Sequence, residues 1–215
     1  MAITAKETKQ RELTPTGNHV ARCYKMIHFG HIPENDYNGN LKLQNKVSIY
    51  FELPGELRKF NEDEDEQPMS ISKEYTVSLH EKANLRLDLE SWRGKQFSSD
   101  ELQGFDLINV LSKPCLINIV HKTAKSSGNQ YAAISSITPL IKGMECPDQV
   151  NKTFVWDYDE NFDVNILEEM HEYFQTKIKS SEEYQQKLSV ENPDIQESPM
   201  PNVDDELIDG DDLPF

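Results

Sequence analysis

The sequence predicts a mainly β protein: a five-stranded barrel with a helical insertion between strands 3 and 4, a C-terminal helix and a disordered acidic tail. Three observations carry the prediction. Five short segments alternate apolar and polar residues with a period of two. The third of them runs straight into a stretch of helical period. From Glu191 onward the chain has no Lys or Arg at all.

Residues 1–18 are polar, end in Thr14-Pro15-Thr16-Gly17 and read as a loose lead-in. Residues 19–29, HVARCYKMIHF, form the first strand, with Ala21, Cys23 and Ile27 expected inward and Arg22, Tyr24 and Met26 outward. A loop rich in turn formers follows over 30–45. Residues 46–53, KVSIYFEL, place Val47, Ile49, Phe51 and Leu53 inward and Lys46, Ser48, Tyr50 and Glu52 outward, with Pro54-Gly55 as the stop. In the third strand Ile71, Lys73, Tyr75, Val77 and Leu79 share a face, and Tyr75 is expected to be buried. Ser78 and Glu81 have capping-box spacing. Leu85, Leu89 and Trp92 then fall at i, i+4 and i+7, with Gly94 as the end and Lys82, Arg86 and Arg93 on the opposite side. Trp92 completes the apolar stripe and is expected in the core.

Ser98 and Glu101 suggest a short capped turn, and 105–111 a second small helix closed by Lys113-Pro114. Residues 115–122 and 131–138 read as a hairpin around Ser126-Ser127-Gly128-Asn129. The order β-β-β-α-β-β is that of the OB-fold, a partly open Greek-key barrel that binds oligonucleotides. Residues 19–142 would be this domain. Residues 143–188 would be an extension, with Trp156-Asp157-Tyr158 as a packing segment. A single amphipathic helix over 163–179 would dock on the barrel through Leu167, Met170, Phe174 and Ile178. Residues 189–215 would be the disordered acidic tail.

The chain of 215 residues carries a net charge of −16, which by itself argues against a nucleic-acid partner. The charge is unevenly divided, however. Residues 1–142 hold 18 Lys/Arg and 18 Asp/Glu, whereas 143–215 hold 4 and 20. Cys23, Cys115 and Cys146 form no CxxC pair, which speaks against a disulfide framework or a structural zinc site. No apolar run approaches the roughly 20 residues of a membrane span, and residues 1–18 lack the apolar core of a signal peptide. The expected location is a reducing cytoplasm.

At these residues the chain resembles a family of bacteriophage OB-fold single-stranded-DNA-binding proteins. The resemblance runs through GNHVARCYKMIHFG, KVSIYFELP, SKEYTVSLHEKANLRLDLESWRG, GFDLINVLSKPCLINIVH, YAAISSITPL and KIKSSEEY, most of residues 17–184. It implies a protein that binds single-stranded DNA during phage replication, recombination or repair, in the cytoplasm of the infected bacterial host. It carries over no catalytic residues. Separately, Asp211-Asp212-Leu213-Pro214-Phe215 is similar to the acidic tip of bacterial single-stranded-DNA-binding proteins, which has Ile where this chain has Leu213. That likeness implies a docking peptide for replication or recombination proteins such as a polymerase, helicase, primase or nuclease. The Phe ring would enter an apolar pocket and the acids would steer it.

The residues expected to contact DNA are the outward cations and rings Arg22, Tyr24, Lys46, Tyr50 and Lys73, with Lys122, Lys125 and Tyr131 from the last hairpin. Phosphates would follow the cations, and bases would stack on the rings. No cofactor and no metal are expected. The alternative is an acidic protein-interaction adaptor or DNA mimic that does not itself bind DNA. An enzyme is disfavoured because there is no GxxxxGK loop and no nucleophile elbow. His28, His31 and the acidic run 62–66 lack a partner cluster for a metal.

Overall fold

In the computed structural model the chain is described over residues 12–35, 38–60 and 65–191. The tail tip Asp211–Phe215, residues 1–11 and most of the acidic run 62–66 lie outside the described residues. No helix among the described residues is long and apolar enough to cross a membrane.

The fold is mainly β. The strands are β1 (Gly17–Asn35), β2 (Leu41–Arg58), β3 (Gln67–Thr76), β4 (Pro114–Thr123), β5 (Gln130–Thr138) and β6 (Phe154–Trp156). They form a sheet of order β3-β2-β1-β4-β5 with antiparallel ladders, and β6 lies parallel to β1. The expected five-stranded barrel, partly open as in the OB-fold, is corrected in its strand number. Among the described residues there are six strands, and the sheet is not closed, because β3 and β5 touch without forming a ladder. The extra strand comes from the expected packing segment, whose Trp156 is fully buried.

The first hairpin is longer than expected. The predicted loop over 30–45 is mostly ladder, from Gly30↔Lys46 to Asn35↔Leu41. Pro33 is tolerated there because β1 is an edge at that point, beyond the reach of β4 (paired to 17–22) and β6 (paired to 25–27). Pro54-Gly55 likewise does not stop β2; it sits in a register shift between Leu53 and Leu57, after which pairing resumes.

Bulges decide which face of β1 looks where. A register shift between Cys23 and Lys25 exchanges the expected places of Met26 and Ile27. Met26 joins Ala21 and Cys23 in the inner core, and Ile27 turns to the other face with Tyr24. A second shift, at His28/Gly30, is built on Gly30, whose φ of +77° suits glycine. A Cβ there would lie 2.3 Å from Glu183 Oε2 and 2.9 Å from Tyr158 Cε2. Gly30→Ala therefore combines backbone strain of about 1–2 kcal/mol with a collision. Chemical denaturation should show a loss of about 2 kcal/mol or more, and an unchanged midpoint would contradict this placement.

The inner core lies between the sheet and α1 (Asn84–Arg93), whose Leu85, Leu89 and Trp92 are buried as the stripe requires. Trp92 lies 5.4 Å from the Phe51 ring and donates from Nε1 to the Pro114 carbonyl at 2.9 Å. Gly94 caps the helix in the left-handed region with φ 65°. The expected Ser78/Glu81 capping box does not form. The helix starts later, behind Ala83, and Ser78 Oγ accepts from the His80 N–H instead. Ser98 and Glu101 do cap reciprocally, at 2.9 and 3.2 Å, around the 3₁₀ turn Glu101–Gln103.

A second core lies on the other face of the sheet, under residues 143–191. The expected single helix over 163–179 is two, α2 (Val164–Glu169) and α3 (Glu172–Lys179), broken at Met170, and α4 (Glu182–Glu191) follows. Leu167, Phe174 and Ile178 pack with Trp156, Tyr158 and Tyr184 against Tyr24, Ile27, Phe29, Ile32 and Tyr50. Polar contacts fasten the layer. Fully buried Glu52 accepts from the backbone N–H groups of Val150 (3.1 Å) and Asn151 (2.8 Å) and from Asn151 Nδ2 (2.9 Å).

Glu183 accepts from the His31 N–H (2.7 Å) and ring Nδ1 (2.6 Å), tying α4 to β1. Burial would raise the Glu183 pKa, but the hydrogen bonds from His31 outweigh it and hold the carboxyl below its usual value. A depressed folded-state pKa gives stability that is present above the unfolded pKa of about 4.3 and lost as pH falls through the folded value. Amide exchange in α4 is therefore expected to quicken as pH drops below about 4.3, after correction for intrinsic rates, and Glu183→Gln should flatten that dependence.

Candidate nucleic-acid interface

The eight residues expected to contact DNA fall into two groups. Five are engaged by the protein itself and are corrected first: Arg22, Tyr24, Lys46 and Tyr50 on the face that the C-terminal layer covers, and Lys73 on the opposite face beside α1. Tyr24 and Tyr50 are 6% and 3% exposed, inside the second core. Arg22 donates to the carbonyls of Ser112 (2.9 Å) and Pro147 (2.8 Å). Lys46 pairs with Glu34 at 2.6 Å, and Lys73 pairs with Asp88 at 2.7 Å. None of the five presents a free cation or ring to solvent. Lys73 stands across from inner-core Ile49 and is held by α1, while the physical reason is common to the other four. The outward polar face of β1–β3 serves as an anchoring surface for residues 143–191. Lys177 of α3 shows the same use: it pairs with Glu74 at 2.6 Å and lies 4.9 Å from the Phe29 ring centroid. Burial alone would lower its pKa, yet Glu74 and Tyr173 hold it above the ordinary lysine value.

The other three residues come together on the β4–β5 hairpin. Lys122 and Tyr131 are direct cross-strand partners, so their side chains leave the same face. Inward, Ile117 and Ile119 of β4 and Ala132 and Ile134 of β5 are buried and fix the phase of both strands. Lys125 sits in the turn, which the left-handed Gly128 (φ 74°) and the Ala124 N–H to Asn129 carbonyl bond (2.8 Å) close. Lys122 and Lys125 are exposed, and neither has an ion-pair partner among the described residues. Further along the same face, Asn118 Nδ2 donates to Asn18 Oδ1 at 2.8 Å, and Ser135 Oγ donates to Asn118 Oδ1 at 2.6 Å. From Leu107 to Met144 the sequence has four lysines and no acid, in a chain otherwise rich in acids. The hairpin thus offers cations, an aromatic ring and uncharged amides on a stretch of chain that itself contains no carboxylate side chain.

The basic side of α1 turns toward its own fold. Arg86 pairs with Glu90 at 3.0 Å and donates to the Leu79 carbonyl at 3.1 Å. Arg93 pairs with Glu101 and lies over the Phe97 and Phe105 rings. Only Lys82 of that set is exposed. His28 and His31 also separate, His28 Nε2 bonding Asn45 Oδ1 at 2.6 Å while His31 holds Glu183. Among the described residues no three His, Cys, Asp or Glu side chains gather as a metal group.

Sequence reasoning missed Lys25. It lies in the middle of an apolar strand, and the bulge after Cys23 carries it to the outer face, 4.6 Å from the Tyr50 ring centroid. The available signal was a lone cation between Tyr24 and Met26. No protein-family model matches this chain, and no curated protein matches it.

Proposed function

We propose that the protein binds single-stranded DNA without catalysing a reaction, as a phage-type OB-fold protein, and that its acidic tail recruits replication or recombination proteins in the infected bacterial cytoplasm. The observation that carries the reading is the acid-free hairpin on which Lys122 stands opposite Tyr131 and Lys125 occupies the turn. Two further features support it. The strand order β3-β2-β1-β4-β5, with a helix between β3 and β4, is compatible with an OB barrel left open between β3 and β5. In that fold the connection between strands 4 and 5 is one of the loops used for oligonucleotides. The negative charge is also segregated, so residues 1–142 are neutral. The binding surface is then the hairpin side, because the β1–β3 face is covered by the protein itself.

The direct test is a titration of the full chain with thymidine homopolymer, duplex DNA, RNA and heparin at two salt concentrations. Preference for the homopolymer supports the reading. Equal binding of heparin, or no binding of any nucleic acid, would leave the acidic adaptor as the function. A second expectation concerns the tail. Deletion of Asp211–Phe215 should leave DNA affinity equal or higher, because a polyanion that competes for the cationic surface is removed. The same deletion should abolish capture of replication or recombination proteins. Loss of DNA binding on that deletion would contradict the assignment.

A further inference from the structure

Beside β6 the second core is incomplete. A cleft of about 280 Å³ remains between β1, β6 and the α2–α3 junction, lined by Lys25, Ile27, Phe154, Ile166, Met170 and Phe174, with Glu169 and His171 also on its wall. This is close to the lower end of the roughly 300–1,000 Å³ range of small-molecule sites, enough for one or two fused rings.

Lys25 sets its chemistry. Among the described residues its ammonium has no ion pair and no hydrogen bond. Its ammonium instead stands among three ring faces, 4.6 Å from the centroid of Tyr50, 5.5 Å from that of Phe174 and 5.8 Å from that of Phe154. The other lysines that touch this outer face, Lys46 and Lys177, each have a carboxylate at 2.6 Å. A partly buried ammonium without a counter-charge is costly, and ring faces compensate only part of the cost. Burial accordingly pushes the Lys25 pKa below the ordinary lysine value. A second donor is close by. His171 Nδ1 accepts the Tyr173 N–H at 3.2 Å, so in the neutral ring Nε2 carries the proton.

We infer that this cleft binds a small aromatic molecule bearing one negative charge, its ring between Ile166, Met170 and Phe154 and its anionic oxygens on Lys25. A single charge fits better than two, because one cation faces the ligand and Glu169 on the same wall repels a dianion. The site is separate from the β4–β5 hairpin and does not depend on the DNA-binding reading.

The experiment titrates the full chain with naphthalene-1-acetate and with the neutral naphthalene-1-acetamide, following the methyl NMR signals of Ile27, Ile166 and Met170. The acid should shift these signals saturably and bind at least tenfold more tightly than the amide. Lys25→Met keeps the length of the side chain and should reduce acid affinity at least tenfold while leaving amide affinity unchanged. Ile166→Trp, at a position 38% exposed, fills the cleft from its rim and should abolish binding even if Lys25→Met does not fold. Equal affinities for acid and amide, no saturable shift, undiminished acid binding by folded Lys25→Met, or undiminished binding by Ile166→Trp would each overturn the proposal. Thymidine monophosphate binding the same methyl groups more tightly than the acid would overturn the single-charge assignment in favour of a nucleotide.

Discussion

A chain ending at residue 142 is expected to be insoluble or unfolded, whereas one ending at 191 should melt at the temperature of the full chain. The shorter truncation strips the cover from Tyr24, Ile27, Phe29, Ile32 and Tyr50, all 6% exposed or less. Burying one large apolar side chain is worth roughly 1.5–3 kcal/mol, so these five together represent on the order of 10 kcal/mol. That equals the whole stability of an ordinary domain, about 5–15 kcal/mol. The cut also leaves buried Glu52 without the three donors it takes from Val150 and Asn151, and Lys177 is lost from Glu74. By contrast, half of residues 192–215 are acids or prolines and none is a Lys or Arg, a composition that contributes little to a core. Circular dichroism melts and soluble yields of the two truncations decide the matter. A soluble, cooperatively melting 1–142 fragment would show that the second core is dispensable.

Combined replacement of Lys122, Lys125 and Tyr131 by Ala is expected to weaken single-stranded-DNA binding by about one to two orders of magnitude at moderate salt. Loss of one stacking ring accounts for roughly 1–3 kcal/mol. Loss of two phosphate contacts should lower the slope of log affinity against log salt by about 1.4, at roughly 0.7 per contact on a single strand. Stability should change little, because both lysines are exposed and Tyr131 is only half-buried. Residues engaged within the fold supply the comparison. Lys46→Ala and Lys73→Ala break ion pairs with Glu34 and Asp88 and should leave DNA affinity and its salt slope unchanged. Tyr50→Ala removes a buried ring and should cost about 3–5 kcal/mol of stability instead. Fluorescence-anisotropy titrations at three salt concentrations, with denaturation curves for every variant, separate these effects. Weakened binding by Lys46→Ala or Lys73→Ala with an unaffected hairpin variant would move the interface to the β1–β3 side.

The strands, α1 and the hairpin were legible because each rests on a local pattern with a local cause. Val47, Ile49, Phe51 and Leu53 alternate, and they are buried in that alternation. Leu85, Leu89 and Trp92 repeat at helical spacing, and Gly94 ends the helix where a left-handed residue is needed. Lys122, Lys125 and Tyr131 were legible too, since turn residues at 126–129 fix which face of a short hairpin is outward. Errors of phase began where a bulge intervened. Met26 and Ile27 exchange sides because the register shifts between Cys23 and Lys25, and an inserted residue leaves no periodic trace in a run as apolar as this one.

What the sequence determined alone was the central part of the five main strands, α1 and the segregation of charge, because periodicity and composition act within a few residues. What only the tertiary structure decided was the fate of the outward face of β1–β3. Arg22, Tyr24, Lys46 and Tyr50 have the residue types of a nucleic-acid surface, and these same types also make an anchoring surface. Which one they form depends on whether another layer arrives. Here residues 143–191 bring Trp156, Phe174, Ile178 and Lys177 across more than a hundred residues of chain, and burying those rings turns apparent ligand contacts into structural ones.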